Sequence, residues 1–192
     1  MISSEKQTLR LRMRESLRAI TPDVLAEKSA AIGRHLAAGL GAHPGLVLGF
    51  APMRAEPDWT SAVGPGWNLA LPRIDSGRMT FHRVAGLGGL AKGAHGVLEP
   101  AVGEGTLVLP GEASVVLVPG MAFDRRGGRL GKGGGFYDRL LVEGLLRARR
   151  IAVCFACQVV GSVPVEPHDM EVDAIVTEDG WTEVRSSGRD RD

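Results

Sequence analysis

The chain has 192 residues, 44% of them hydrophobic and 23% charged, which fits one soluble globular domain and excludes a disordered or fibrous chain. Lys and Arg number 23 against 22 Asp and Glu, a net charge of +1, so no global field draws the chain to nucleic acid or an anionic membrane, and any anion site must be local. No apolar run approaches the roughly 20 residues of a bilayer span, and the first residues lack a signal-peptide core; a cytoplasmic monomer with small-molecule partners is the expectation.

Ser4 and Gln7 have the spacing of a capping box, and Leu9, Met13, Leu17 and Ile20 follow at helical spacing, which predicts a first helix ending near Ile20. Lys6, Arg10, Arg14 and Arg18 recur every fourth residue and form one cationic stripe on it, either a solvated face or a surface turned to an anionic ligand. Thr21-Pro22-Asp23 starts a second helix that Leu25, Ile32, Leu36 and Leu40 carry to Gly41.

Buried strands are predicted at Leu46 to Phe50, Trp67 to Leu71, Met79 to Val84, Ser114 to Val118, Ile151 to Phe155 and Asp173 to Thr177. Helical patterns lie between them near Asp58 to Val63 and Phe136 to Arg149. Strands alternating with helices, several of them continuously apolar, predict an α/β fold. Its central sheet is mostly parallel or mixed, with helices on both faces in a three-layer α/β/α arrangement. Ligands in such sheets bind beyond the carboxyl ends of the strands, which points to the loops after Phe50, Val118 and Phe155. Residues 1–180 read as the single domain and 181–192 as a polar tail. Cys154 and Cys157 fall in a strand-like run, where residues three apart face opposite ways, so both read as buried structural cysteines rather than a redox or metal pair.

The 27 glycines and 11 prolines exceed ordinary usage of roughly 12% for the two together, and the densest run of glycines lies between Gly127 and Gly135. Six of the nine residues from Gly127 to Gly135 are glycine and two are cationic, Arg129 and Lys132. That composition lets backbone N–H groups close around a phosphate while the cations neutralise it. The stretch is neither a Walker A loop, since Arg126 stands where the first glycine belongs and Gly133 follows Lys132, nor a dinucleotide fingerprint, since Phe136 occupies the place of the last glycine.

Pro119-Gly120-Met121-Ala122-Phe123-Asp124, Gly128-Arg129-Leu130-Gly131 and Gly133-Gly134-Gly135-Phe136-Tyr137-Asp138-Arg139 resemble, in order, the signature of the 5-formyltetrahydrofolate cyclo-ligase family. Lys6 with Arg10, Glu56 after Ala51-Pro52-Met53, Gln158, the run Val163 to Asp169 and the run Val172 to Glu178 are similar to further blocks of that family. The resemblance therefore spans about Lys6 to Glu178. It implies an ATP-dependent ligase that uses Mg²⁺ and turns 5-formyltetrahydrofolate into 5,10-methenyltetrahydrofolate, ADP and phosphate.

By the same resemblance, Lys6, Arg10, Arg129, Leu130, Gly131, Lys132, Gly133, Gly134, Gly135, Phe136 and Tyr137 bind ATP, with Lys132 and Arg129 serving catalysis. Ala51, Glu56 and His95 bind the folate. Asp138 and Asp169 hold magnesium, although by residue type alone Asp138 equally suits a helix start and Asp169 a turn cap. Lys132 stands where many relatives carry Arg or Tyr, Phe136 replaces the usual first tyrosine, and His95 falls where an aromatic residue is common. The alternatives are a phosphate-substrate isomerase or transferase of the same fold and a non-catalytic nucleotide or folate-binding module; ATP dependence separates them. Nucleic-acid binding ranks below these, because no stacking aromatics interleave the cations.

Overall fold

A computed structural model describes residues 2–75, 77–93, 97–101, 106–137, 147–166, 169 and 171–184. Helix α1, Ile2–Arg18, begins ahead of Ser4, so that residue is not a cap; its carbonyl instead accepts the Thr8 hydroxyl at 3.0 Å. Helix α2, Pro22–Leu40, runs between the expected boundaries and stops at Gly41, whose φ of 71° an L-residue rarely adopts. The pattern at Asp58 to Val63 becomes only a short 3₁₀ turn, Thr60–Ala62.

The strands are β1 (Leu46–Leu48), β2 (Asn68–Asp75), β3 (Arg78–Val84), β4 (Leu90–Lys92), β5 (Leu98–Pro100), β6 (Leu107–Val108), β7 (Val115–Val118), β8 (Ala122–Asp124), β9 (Arg129–Leu130), β10 (Arg149–Val153), β11 (Val159–Val160), β12 (Ala174–Thr177) and β13 (Gly180–Glu183). Eight form one sheet in the order β13-β12-β10-β7-β1-β2-β3-β6. The five central neighbours β12, β10, β7, β1 and β2 pair in parallel, while β13, β3 and β6 add antiparallel edges. This is the mixed, mostly parallel α/β sheet that the apolar runs predict.

Residues alternating along the central strands feed two cores. Val47, Leu69, Leu117, Val153 and Val176 join Met13 of α1 and Ile32 and Leu36 of α2 on one side, and Leu48, Ala70, Val118, Ala152 and Ile175 form the other cluster. Both α1 and α2 thus contribute to one cluster. The helix expected on the second face lies largely outside the described residues, and its predicted end, Arg149, belongs to β10.

The polar tail starts later than Trp181. Residues 180–183 pair with β12 in the register Val176↔Trp181, the Trp181 ring stacks under the Arg149 guanidinium at 5.1 Å, and it packs so closely on Gly39 that a Cβ there would clash. The cysteine expectation also divides. Cys154 is fully buried, but β10 ends at Val153 and the chain enters a 3₁₀ turn, Ala156–Gln158, which leaves Cys157 exposed.

The glycine-rich stretch is not one continuous loop. Strands β8 and β9 pair as an antiparallel hairpin with β11 alongside. Buried Asp124 holds the turn: Oδ1 accepts the N–H groups of Arg126 and Gly128 at 2.9 and 3.1 Å, and Oδ2 accepts that of Val163 at 2.7 Å. Gly127, with φ of 91°, lies so close to the Val172 carbonyl that no side chain fits.

Candidate active site

In chain order the parallel strands run β1, β2, β7, β10, β12, but β2 and β7 lie on opposite sides of β1. The strand order therefore reverses between β1 and β7, and the crevice beyond their carboxyl ends is where such a sheet binds ligands. Phe50, Ala51 and Pro119, just past those ends, line a cavity of about 190 Å3, closed by Glu56, Ile74, Met79, Val97, Glu99 and the segment from Arg129 to Tyr137. Of the three loops expected at the site, those after Phe50 and Val118 contribute. The third is structural: Gln158 spends its amide on the Gly120 and Met121 carbonyls, at 2.9 and 3.2 Å, and so fixes the start of the hairpin.

A second, polar cavity of about 350 Å3 lies beside the first, lined by Ser3, Lys6, Arg10, Glu166, Asp169 and again the glycine-rich segment. Arg129, Gly131, Gly133 and Gly135 line both, so one stretch of backbone forms the partition between an apolar and a charged chamber. The φ values of Gly133 and Gly135 are 106° and 66°, and a Cβ on Gly133 would meet nothing within 4 Å. The glycine there is thus favoured by backbone conformation, not by packing against the protein. Among the described residues no group accepts the N–H of Gly133, Gly134 or Gly135.

The charges of the two chambers are paired within the chain. Lys6 Nζ lies 2.7 Å from Asp169 and 2.8 Å from Glu166. Burial works against its charge, but the two carboxylates outweigh this and raise its pKa. Asp169 Oδ2 also accepts the Glu166 N–H at 2.8 Å, so it does cap its turn. Arg10 Nε donates to the Gly131 carbonyl at 3.0 Å and ties α1 to the partition. Lys132 reaches across to Glu56, Nζ to Oε1 2.6 Å, while Glu56 Oε2 accepts the Met53 N–H at 2.9 Å. Arg14 and Arg18, the continuation of the cationic stripe, line a third cavity of about 230 Å3 that also includes Glu56 and Lys132.

Tyr137 closes the partition. Its hydroxyl is buried and has no hydrogen-bond partner among the described residues; burial, then the Glu56 charge, push its pKa far above that of an ordinary phenol, against an opposing pull from Arg129.

Residues 2–178 match the model of the 5-formyltetrahydrofolate cyclo-ligase family. The chain belongs to this family. It is similar to the 5-formyltetrahydrofolate cyclo-ligase of Mycolicibacterium smegmatis, 31% identical over 181 residues that cover 90% of this chain and 93% of the relative. The Escherichia coli K12 cyclo-ligase is 26% identical over 178 residues, covering 86% and 96%. The solved structure of Aquifex aeolicus 5,10-methenyltetrahydrofolate synthetase matches with a TM-score of 0.78 at 29% identity, over 96% of this chain and 95% of that one. Membership of the cyclo-ligase family places the chain among ATP-dependent ligases of folate metabolism.

Within this cyclo-ligase fold, Lys6, Arg10, Arg129, Leu130, Gly131, Gly133, Gly135 and Asp169 converge on the polar cavity. Ala51, Glu56, Arg129, Gly131, Lys132, Gly133, Gly134, Gly135, Phe136 and Tyr137 converge on the apolar one. His95 and Asp138 lie outside the described residues. Among the described residues no three His, Cys, Asp or Glu side chains gather as a metal site, and no helix is long and apolar enough to cross a membrane. Sequence reasoning missed Glu99, which is buried, lines the apolar cavity and accepts the Ile74 N–H at 3.3 Å. Its place just before Pro100, in a stretch otherwise read for His95, was the available signal. Asp124 stands out in the sequence only as part of a motif, and its three backbone partners cannot be read from spacing.

Proposed function

We propose that the chain converts 5-formyltetrahydrofolate and ATP into 5,10-methenyltetrahydrofolate, ADP and phosphate. The observation that supports this most directly is the shared partition: one glycine-rich segment walls an apolar chamber suited to a flat ring system on one side and a cationic chamber suited to phosphates on the other. An amide oxygen leaves poorly. The formyl oxygen therefore attacks the γ-phosphorus and displaces ADP; N10 then attacks the activated carbon, loses its proton, and phosphate departs with the former formyl oxygen. The first step needs two substrates held in line across a thin wall, and catalysis there is mainly positioning and charge neutralisation.

In this reading Gly133, Gly134 and Gly135 offer their N–H groups to the phosphates, as a helix or nest would. Lys6, Arg10, Arg129 and Lys132 neutralise the charge that develops on them. Ala51 and Glu56 face the folate, with the Glu56 carboxylate accepting from ring N–H and amino groups, and His95 keeps the folate-side assignment that the family resemblance gives it. Lys132 must leave Glu56 to reach a phosphate, and its exposed stem allows that.

Magnesium fits the oxygen donors on the polar side. Asp169 and Glu166 line the cavity with a cation, the Lys6 ammonium, already in contact with both, and Mg²⁺ favours one or two carboxylates completed by phosphate oxygens and water. Asp169 is the carboxylate assigned to it here, with Asp138 as the expected second. When bound, the ion would neutralise phosphate charge.

Purified protein mixed with Mg²⁺-ATP and 5-formyltetrahydrofolate should develop the near-ultraviolet absorbance of the methenyl product, and should not do so without ATP. Product formation independent of ATP, or none from folded protein that binds ATP, would overturn the assignment.

A further inference from the structure

The Tyr137 hydroxyl is a buried donor without a partner among the described residues. Leaving such a group unsatisfied destabilises a fold, and a phenylalanine would avoid the penalty. The oxygen therefore calls for a partner supplied from outside the chain.

Its surroundings restrict that partner. An ordinary phenol keeps its proton at working pH, so the hydroxyl is a donor and a ligand acceptor would satisfy it. Tyr137 lines the apolar cavity, whereas the polar cavity's share of the segment stops at Gly135. The residue thus stands at the partition, on the apolar side, beside the wall residue Arg129. Under the chemistry proposed above, one folate atom is obliged to be at that partition: the formyl oxygen, which must reach the γ-phosphorus while its ring occupies the apolar chamber. The glutamate carboxylates at the far end of the molecule have no such constraint.

Resting on that functional reading, we propose that Tyr137, to which the family resemblance gives an ATP contact, is instead a catalytic residue of the folate side, whose hydroxyl donates a hydrogen bond to the N5-formyl oxygen. One lone pair of that oxygen is then held by Tyr137 and the other is free to point at phosphorus. The contact also selects its substrate, since an N5-methyl group offers no acceptor. The positive φ angles of Gly133 and Gly135 place the segment's conformational freedom immediately before the ring that must meet the ligand.

Tyr137→Phe removes only the oxygen. Its Kd for 5-formyltetrahydrofolate should rise roughly three- to tenfold, and kcat should fall as well. Affinities for 5-methyltetrahydrofolate and for a non-hydrolysable ATP analogue should stay at parent values. The ligand-free variant should melt at or above the parent's temperature, because an unsatisfied hydroxyl has been removed. Equal losses for the formyl and methyl folates would assign the hydroxyl to a ring group and overturn the proposal. A loss confined to the ATP analogue, or no loss for any ligand, would also overturn it. A variant that melts well below the parent or fails to fold would show the hydroxyl to be satisfied within the protein, and the proposal would fall with it. Failure of the parent itself to bind 5-formyltetrahydrofolate is a separate result, and would remove the functional reading on which the proposal rests.

Discussion

The polar chamber is closed by its own charges, Lys6 against Asp169 and Glu166, whereas the apolar chamber keeps the Tyr137 hydroxyl without a partner among the described residues and Lys132 folded back onto Glu56. Both are built on the same glycine-rich backbone, so the contrast arises from what lies opposite that wall. On one side is the amphipathic helix α1 with its cations at every fourth residue. On the other are the strand ends around Phe50, Ile74 and Met79. A single flexible segment can serve two ligands of opposite character because the rigid elements facing it set the polarity of each chamber.

The hardest test of this division is Lys132→Ala. Removing a cation that neutralises the transferring phosphoryl group should lower kcat/KM for ATP by about 10²-fold or more; steady-state rates at varied ATP that match the parent would remove Lys132 from the polar side altogether. Glu56→Gln sharpens the contrast from the opposite wall. The KM for 5-formyltetrahydrofolate should rise about tenfold through a weakened charge-assisted contact, while the KM for ATP should hold or fall, because Lys132 no longer has an anion to leave; a rise in the ATP KM alone would reverse the assignment.

Away from both chambers, Glu178 joins the end of β12 to α2 and to the 3₁₀ turn through Lys28 and the Ala156 N–H. Burial acts to raise its pKa, but Lys28 and the backbone N–H outweigh this and hold the carboxyl below its ordinary 4.5. Its stabilising contribution is therefore fully present above that value and is lost as pH falls through the lower folded-state value. Glu178→Gln should lower the Tm at neutral pH by about 3 °C and flatten the acid limb of the stability curve. Thermal melts from pH 7 down to 3 that run parallel in parent and variant would refute this, and neither chamber's KM should move.

Strands β1, β7, β10 and β12 are legible in the sequence because a strand covered on both faces leaves its trace as an unbroken apolar run, as in Val115–Val118 and Ala174–Thr177. The short pairs β8–β9 and β4–β5 are not, since two or three residues carry no period and the composition around Arg129 reads as loop. Cys157 departs from expectation because nothing in the run from Ile151 marks the point where strand gives way to turn. The chemical types of the site are readable from the motif, but its pairings are not: Lys132 with Glu56 and Lys6 with Asp169 join segments distant in the chain that meet only in the folded protein.

The Lys132–Glu56 bridge also bears on how the two substrates sense each other. In the proposed reading ATP draws away the lysine and the folate engages the carboxylate, so whichever ligand arrives first works against the ion pair and the second meets a partner already released. Occupancy of the two chambers is then positively cooperative. By linkage the factor by which ATP tightens folate binding must equal the factor by which folate tightens ATP binding. Such heterotropic coupling makes the ternary complex more populated, relative to either binary one, than independent sites would allow.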